Sequence, residues 1–417
     1  MRAVGSTPVI AVAVALLFAG APAAARESAG RWVGSWAAAQ LTLPPQNAVA
    51  AADLTDATLR QVVRLSLGGE ALRVRLSNAF GTEPLRITSA HVASAVQPGT
   101  PRIDPGSDRA LTFAGRSEVV IPAGADFVSD PLPLAVKPQT ALAVSLHFEA
   151  PPAAQTGHPV SRSTSFLVHG DMTAASDLPD AARVEHWYQL TGVEVLGAPT
   201  AAAVATLGDS ITDGDGATTD ADDRWPDALA RRLQADPATR RVGVLNVGIA
   251  GNRVLQNGLG PNALARFDRD VLARPGVRWV ILLEGVNDLG VATRDHPISP
   301  EAHAGLVRNV IAAYQQMIER AHAQGVKVVG ATILPYGGSA YYHPDAANEQ
   351  DRAAINAWIR ELGHFDAVLD FDRLMRDASE PTRMRADFDS GDHLHPSPAG
   401  YRAMAEGVPL ALFKTRP

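Results

Sequence analysis

The feature that most constrains the fold is a change of pattern near residues 197–200. Before it, short stretches such as Arg60 to Leu67 alternate polar and apolar residues, which is typical of half-buried strands. After it, apolar stretches such as Val204 to Leu207 alternate with amphipathic helical stretches, and this order predicts a parallel sheet covered by helices. The chain therefore predicts two domains, over residues 26–197 and 198–417.

The first predicted domain has the pattern of an antiparallel β protein. Its strands are short and separated by proline and glycine turns, with hardly any helical period, which favours a jelly-roll-like β-sandwich. Gly68 and Gly69 separate two alternating stretches and predict a hairpin. Trp32 and Trp36 predict an edge strand with its tryptophans in the core, and contact of Trp36 with carbohydrate is the alternative.

The second predicted domain alternates strands with helices. Strands are predicted over 204–207, 242–247, 277–283, 326–333 and 367–370, and helices over 225–234, 301–324 and 348–362. A last helix is predicted to begin with Ser397 as N-cap and Pro398 as its first residue.

Composition excludes several classes of protein. The 417 residues include 37 Lys and Arg against 44 Asp and Glu, and the resulting net charge of −7 argues against nucleic-acid binding. There is no cysteine, which excludes disulfides, thiolate nucleophiles and cysteine-bound metals.

Residues 1–25 have the pattern of a secretory signal peptide. Arg2 precedes a short apolar stretch, and Ala23 to Ala25 form an A-x-A cleavage site. The stretch is shorter than the roughly 20 residues of a membrane-spanning helix, although an uncleaved anchor is the alternative. We therefore expect a secreted or periplasmic protein without stable membrane insertion once the signal is removed.

Four loops at the carboxyl edge of the predicted parallel sheet carry polar residues, and ligands bind at that edge of such sheets. Each loop alone is ordinary turn chemistry. In this order they resemble the four sequence blocks of the SGNH hydrolases, also called the GDSL esterase/lipase family, over residues 201–412. The blocks are Gly208-Asp209-Ser210, Asn246 to Asn252, Glu284 to Asp288 and Asp389 to Pro396.

The resemblance implies a flavodoxin-like, three-layer α/β/α hydrolase domain and a serine esterase that cleaves carboxylic esters and needs no cofactor. Among substrates, export and the fused β domain favour a carbohydrate O-acetylesterase. There are two alternatives. One is a lipase or aryl esterase of the same family, and the second is a non-catalytic carbohydrate-binding protein. Partners would be small-molecule or polysaccharide esters, and the sequence leaves the oligomeric state open.

The predicted catalytic triad is Ser210, His395 and Asp392. A serine hydroxyl needs a neighbouring base to become nucleophilic, and Ser210 is placed where a strand ends and a helix begins, although it could merely cap that helix. Asp392 and His395 are three residues apart, so the carboxylate can orient the imidazole. His393 is a competing base, but the family's D-x-x-H-P pattern selects His395.

The resemblance also implies an oxyanion hole. Its donors would be the backbone N–H groups of Ser210 and Gly251 and the side-chain amide of Asn287. Gly248 is an alternative to Gly251, although the N-x-G-x-x-G spacing favours Gly251. Asp209 is expected to organise its loop through hydrogen bonds to the backbone.

Three further groups of residues remain. The aspartates between residues 213 and 223 predict a solvated acidic loop more than a cation site, because their spacing does not fit a calcium loop. Asp389, Asp392, His393 and His395 could ligate zinc, but the triad uses two of them, so we predict no metal. Tyr336 and Tyr341, in an aromatic and glycine-rich loop, are predicted to contact substrate.

Overall fold

The computed structural model describes residues 30–414. The predicted signal peptide, residues 1–25, lies outside the described residues. Within them, a strand-rich N-terminal region is followed by an α/β region that begins close to residue 200. In this part of the chain, no helix combines the length and the apolar character that crossing a membrane requires.

The N-terminal region forms antiparallel sheets. The two largest have the strand orders β1-β15-β4-β9 and β13-β12-β3-β10-β6-β7, and smaller sheets have the orders β14-β11-β2 and β5-β8. The region is therefore sheet-rich as predicted, and the jelly-roll arrangement stays a prediction. The strands are β1 (Arg31–Ala37), β2 (Leu41–Thr42), β3 (Ala57–Arg64), β4 (Leu72–Ser77), β5 (Leu85–Ile87), β6 (Ser89–Ser94), β7 (Arg109–Ala110), β8 (Val119–Ile121), β9 (Asp126–Val128), β10 (Ala141–Phe148), β11 (Thr156–His158), β12 (Ser165–His169), β13 (Ala182–Val184), β14 (Trp187–Tyr188) and β15 (Leu190–Gly197).

The predicted hairpin across Gly68 and Gly69 is wrong. β3 and β4 flank these glycines but belong to different sheets. The Gly69 N–H donates to the Val136 carbonyl oxygen at 3.0 Å, and a Cβ on Gly68 would lie 2.6 Å from that same oxygen. The glycines therefore let the chain pass closely along another segment on its way from one sheet to the next, a role that local alternation does not distinguish from a turn.

The C-terminal region contains a five-stranded parallel sheet of order β17-β16-β18-β19-β20. Strand β16, next to the edge strand β17, is buried along its whole length, as expected for a strand covered on both faces. The strands are β16 (Ala202–Gly208), β17 (Val242–Asn246), β18 (Val277–Leu283), β19 (Lys327–Ala331) and β20 (Ala367–Leu369).

The helices of this region largely follow the sequence prediction. The three helices predicted upstream of Ser397 are confirmed as α2, α5 and α6, with ends displaced by at most two residues. Ser397 caps α8, because its side chain accepts from the Gly400 N–H and Pro398 is the first helical residue. The helices are α1 (Ser210–Asp213), α2 (Trp225–Ala235), α3 (Ala263–Phe267), α4 (Val286–Thr293), α5 (Pro300–Ala323), α6 (Ala346–Arg360), α7 (Phe371–Met375) and α8 (Pro398–Glu406).

The two regions meet at β17, the edge strand of the parallel sheet. The Val244 N–H donates to Ser66 Oγ at 2.9 Å, and the Gly34 N–H donates to the Pro275 carbonyl oxygen at 2.9 Å. Gly243 in β17 lies so close to β1 that an added Cβ would be 2.7 Å from the Gly34 carbonyl oxygen. One hydrophobic core continues across this contact.

The close contact at Gly243 predicts a stability effect. Gly243→Ala should lower the free energy of unfolding by about 1–3 kcal/mol, because the new methyl group presses on backbone that cannot move aside. Gly305→Ala, within α5, is the control and should raise stability by about 0.5–1 kcal/mol. Denaturant unfolding of both variants measures these free energies. An unfolding free energy of Gly243→Ala equal to that of the unmodified protein would contradict the close packing of β1 against β17.

Candidate active site

Ser210 lies where strand β16 passes into helix α1. Asp209 caps this helix, since its Oδ1 accepts from the Ile211 N–H at 3.0 Å. The turn is tight, because a Cβ on Gly208 would lie 2.1 Å from Thr212 Oγ1. First-turn N–H groups of a helix have no partner within the helix, so the backbone N–H of Ser210 is free for another acceptor.

A chain of hydrogen bonds joins Ser210 to His395 and Asp392. Ser210 Oγ lies 2.8 Å from His395 Nε2, and His395 Nδ1 lies 2.6 Å from Asp392 Oδ2. The other carboxylate oxygen, Oδ1, accepts from the backbone N–H groups of Leu394 and His395 at 2.9 and 2.8 Å. The turn that carries the histidine therefore also fixes the carboxylate that orients it.

His393, the competing base, has a different partner. Its Nδ1 lies 2.7 Å from Asp389 Oδ2, and its backbone adopts a φ of 60°. His395 is the histidine that contacts the Ser210 hydroxyl.

The electrostatics of this hydrogen-bonded triad favour a charged pair of His395 and Asp392. Burial acts to raise the pKa of Asp392, but the hydrogen bonds from the His395 ring and backbone outweigh burial and lower it. Burial likewise acts to lower the pKa of His395, but the Asp392 hydrogen bond and the charges of Asp215, Asp392 and Asp209 raise it. An imidazolium formed at His395 is thus stabilised by its surroundings.

Asn287, at the start of α4, is held by two buried hydrogen bonds. Its Nδ2 donates to the Asn252 carbonyl oxygen at 2.7 Å, and its Oδ1 accepts from the Tyr342 hydroxyl at 2.5 Å. An amide nitrogen has two hydrogens, and the second has no acceptor among the described residues. The pair of contacts thus fixes which end of the amide carries the free donor.

These residues border one open cleft of about 850 Å³. Gly251, with a φ of 70°, lines this cleft. Gly248 does not, because it packs beneath α1, where an added Cβ would lie 2.4 Å from the Asp213 backbone nitrogen. The lining residues are Ser210, Asp215, Ala250, Gly251, Leu259, Asn287, Gly338, Ser339, Ala340, Tyr341, Tyr342, Gly391, Asp392, His393, Leu394 and His395.

Comparison with known proteins identifies this region. Residues 206–403 match the model of the GDSL-like Lipase/Acylhydrolase family. This part of the chain belongs to that family. No curated protein matches it.

Solved structures of the family are similar to about half of the chain. A G-D-S-L family protein from Desulfitobacterium hafniense is 24% identical, covering 49% of this chain and 96% of its own, with a TM-score of 0.37. An acetylxylan esterase from Geobacillus stearothermophilus, solved as a catalytic mutant, is 21% identical, covering 49% and 91%, with a TM-score of 0.38. A GDSL-like lipase from Bacteroides thetaiotaomicron is 20% identical, covering 49% and 84%, with a TM-score of 0.35.

Of the two tyrosines that the sequence predicted to contact substrate, only Tyr341 lines the cleft of this GDSL-like protein. Tyr341 lines the cleft with 59% of its surface exposed. Tyr336 is only 2% exposed and does not line the cleft. Tyr342, which sequence reasoning missed, borders the cleft and contacts Asn287. Its place beside Tyr341 in one loop was the only signal, and it does not show which side chain turns inward.

Arg266 is the second residue that sequence reasoning missed. Its side chain is fully buried, and no motif marks it. Its guanidinium donates to the carbonyl oxygens of Gly208 and Val247 at 3.1 and 2.6 Å and to Asn252 Oδ1 at 2.9 Å. It also lies 3.4 Å from Glu284 Oε1. One cation thus holds three of the four sequence blocks together from beneath.

Three buried carboxyl groups, those of Asp209, Glu284 and Asp288, lie beneath the cleft near Arg266. Burial raises the pKa of Asp209 to about 7 and that of Asp288 to about 6. Burial and the neighbouring Asp209 charge also raise the pKa of Glu284, against the opposing effect of Arg266. Asp209 caps α1, as predicted for a loop-organising residue, and Asp288 accepts from the backbone N–H groups of Val254 and Leu255 at 2.8 and 3.1 Å.

The solvated acidic loop is a wrong prediction. Asp213 is 2% exposed, and the other aspartates of residues 213–223 are at most partly exposed and bonded within the protein. The partners of Asp213, Asp215, Asp220 and Asp222 are His158, Arg162, Thr164 and Arg64, all from the N-terminal region. Among residues 30–414, no group of three or more His, Cys, Asp or Glu side chains is placed to hold a metal.

Trp36 lies in the core, as the sequence predicted, and the alternative of contact with carbohydrate is contradicted. Trp36 is 6% exposed, and its ring packs edge-on against Trp187 with centroids 4.9 Å apart. The core position predicted for Trp36 is therefore confirmed.

The hydrogen-bond chain predicts how His395 titrates. Its folded pKa should lie above the reference value of about 6.5 and should fall in Asp392→Asn, which removes the charge that favours the imidazolium. Because the folded pKa is raised, His395 stabilises the protein fully below the unfolded pKa and loses this contribution as pH rises through the folded pKa. NMR titration of the ring, assigned by its loss in His395→Asn, measures both values, and an unchanged pKa in Asp392→Asn would contradict the pairing.

Proposed function

We propose that this GDSL-like protein is a secreted serine esterase that hydrolyses carboxylic esters through an acyl-enzyme. The observation that carries the proposal is the continuous hydrogen-bond chain from Ser210 through His395 to Asp392, at the wall of a cleft of about 850 Å³. Secretion rests on the predicted signal peptide.

In the first step, Ser210 Oγ attacks the ester carbonyl carbon while His395 Nε2 takes its proton. The contact of 2.8 Å between these atoms is within the range for direct proton transfer. Asp392, whose pKa is lowered by its bonds to His395, stays ionised and stabilises the imidazolium.

The carbonyl oxygen becomes an oxyanion in this step. The donors available at the cleft are the backbone N–H groups of Ser210 and Gly251 and the second N–H of Asn287. Because Asn252 and Tyr342 already hold the amide of Asn287, little reorganisation is needed as charge develops.

The intermediate collapses when His395 gives its proton to the leaving alcohol, and the acyl group remains on Ser210. Water then attacks the acyl carbon, with His395 as base, and releases the acid. All these proton transfers use the same ring nitrogen, Nε2, because Nδ1 stays bonded to Asp392.

The lining of the cleft favours a short acyl group on a hydroxyl-rich alcohol. Of its described lining residues, only Leu259 and Tyr341 are exposed large apolar side chains. Tyr341 offers an aromatic ring of the kind that packs against sugar rings. These features support a carbohydrate O-acetylesterase, with a lipase or aryl esterase as the alternative outcome.

The nucleophile is tested by substitution. Ser210→Ala should abolish hydrolysis of p-nitrophenyl acetate and should prevent covalent labelling by a fluorophosphonate, which adds to an activated serine. Ser339→Ala is a matched control, because Ser339 also lines the cleft but its hydroxyl has no partner in the part of the chain that the structure describes. Rate assays and intact mass measure both, and labelling that persists in Ser210→Ala would overturn the assignment.

The acyl preference needs its own measurement. We expect kcat/KM to fall as p-nitrophenyl esters lengthen from acetate to decanoate, and acetate to be released from acetylated polysaccharides. A preference for the longest chain would favour the lipase alternative.

The hydrogen bond between Tyr342 and Asn287 predicts a selective loss of kcat. Tyr342→Phe frees the Asn287 amide to rotate, and losing one hydrogen bond of about 1–1.5 kcal/mol corresponds to a roughly tenfold lower kcat. KM should change little, because the amide meets charge only in the transition state. Asn287→Ala should lower kcat further, by about 10²–10³.

Tyr336→Phe is the control for that loop. The Tyr336 hydroxyl is buried and has no partner within residues 30–414, so its removal should leave kcat unchanged and stability equal or higher. Steady-state kinetics and thermal melts on all three variants measure these effects. Equal kinetics for the two Phe variants would contradict the role of Tyr342.

A further inference from the structure

Asp213 connects the N-terminal region to the oxyanion side of the cleft. Its Oδ1 lies 2.8 Å from His158 Nε2, and its Oδ2 accepts from the Ala250 N–H at 2.9 Å. His158 is the last residue of β11, and its other ring nitrogen, Nδ1, lies 2.8 Å from the Ala39 carbonyl oxygen. Because Ala250 directly precedes Gly251, the N-terminal region is linked by hydrogen bonds to a predicted oxyanion donor.

Asp215 makes the second connection, on the side of the general base. Its Oδ1 accepts from Arg162, and its Oδ2 lies 3.8 Å from His395 Nε2. The Asp215 backbone carbonyl also accepts from the Tyr401 hydroxyl at 2.5 Å. Asp215 lines the cleft, so a carboxylate held by the N-terminal region stands beside the nitrogen that contacts Ser210.

We propose that the N-terminal region completes the active site, with His158 and Arg162 as positioning residues that act through Asp213 and Asp215. This inference deepens the proposed esterase function and rests on it. The sequence gives no sign of it, because the residues concerned lie more than fifty positions apart along the chain.

The geometry at Asp215 indicates how it acts. A separation of 3.8 Å is too long for a hydrogen bond, but opposite charges at about 4 Å attract each other appreciably near a protein surface. Asp215 therefore favours the imidazolium that forms when His395 takes the Ser210 proton. Arg162 holds this carboxylate in one orientation.

Several titratable groups face or adjoin His395, and they define what a pH profile reports. Asp392 lies on its own loop, and Asp209 and Asp215 follow β16, while Tyr401 of α8 and Arg162 contact Asp215. All three carboxylates act in the same direction on the histidine. Removing the Asp215 charge should therefore lower the pKa of the acidic limb of the rate profile, and Asp392 and Asp209 should preserve part of the elevation.

The chain offers a matched control for a merely structural role. Arg64 Nε lies 2.5 Å from Asp222 Oδ2, so this ion pair joins the same two regions through the same loop. Neither residue lines the cleft. Arg64→Ala thus removes a comparable contact between the regions without touching the catalytic side chains.

The test compares Arg162→Ala, Arg162→Lys, Asp215→Asn and Arg64→Ala with the unmodified protein. We expect Arg162→Ala to lower kcat about tenfold with partial recovery in Arg162→Lys, as for loss of one charged hydrogen bond. Asp215→Asn should shift the acidic limb to lower pH. Arg64→Ala should change only the melting temperature. Equal kinetic effects in Arg64→Ala and Arg162→Ala, or an unchanged pH profile in Asp215→Asn, would overturn the proposal.

A second measurement separates this inference from the proposed function. NMR titration of His395 reports the charge of Asp215 without any turnover, and its pKa should fall in Asp215→Asn. If the protein hydrolyses no ester but Asp215→Asn and Arg162→Ala both shift this pKa, the proposed function fails and the coupling between the regions stands. If hydrolysis occurs and neither Asp215→Asn nor Arg162→Ala moves the titration or kcat, the coupling fails alone.

The His158 arm is tested by His158→Gln, which keeps a side-chain amide able to donate to Asp213, and by His158→Ala, which does not. We expect His158→Ala to lower kcat more than it raises KM, and His158→Gln to restore part of the loss. Because Asp213 is buried, thermal melts accompany the kinetics. Full kcat in a folded His158→Ala protein would remove His158 from the proposal. If that variant does not fold, His158→Gln and the variants of the partly exposed Arg162–Asp215 ion pair test the proposal instead.

Discussion

The candidate active site depends on one buried cation, Arg266. Parallel strands end with carbonyl oxygens that point toward the same edge of the sheet, and loops at that edge must satisfy them or leave them to water. Arg266 donates to the carbonyl oxygens of Gly208 and Val247 and to the Asn252 side chain. Asn252 in turn accepts from Asn287 through its backbone. The loop of the proposed nucleophile Ser210 and two loops with predicted oxyanion donors are therefore held in place by one rigid, planar group.

The carboxyl groups of the candidate site also differ in pKa, because their environments differ. Beneath the cleft, burial raises the pKa of Asp209 to about 7 and of Asp288 to about 6, so negative charge accumulates there only as pH rises. At the cleft, hydrogen bonds from His395 lower the pKa of Asp392, so this group is ionised throughout. Of these three carboxyl groups at the candidate site, only Asp392 has hydrogen bonds that outweigh burial, so the three differ in charge.

Sequence predicted those features that depend on neighbours along the chain. The spacing of Asp392 and His395, the cap at Ser397 and the apolar stretch of β16 are local, and the structure places each as expected. The predictions that failed depended on distant partners. Whether aspartates 213–223 are solvated is decided by side chains such as His158 and Arg64 in the other region, and whether Gly68 and Gly69 form a hairpin is decided by the sheet that each flanking strand joins.

The contact between the two regions follows from the same physics as the site. β17 ends the parallel sheet, and an uncovered edge strand would expose unpaired backbone groups. The N-terminal region covers it, with Ser66 accepting from the Val244 N–H and β1 packed so closely that Gly243 has no room for a side chain. Once this edge is covered, the loop after β16 faces protein instead of water, and its carboxylates require partners. His158 and Arg162 supply them beside the cleft, so covering the sheet edge and arranging the loops of the candidate active site are two consequences of one interface.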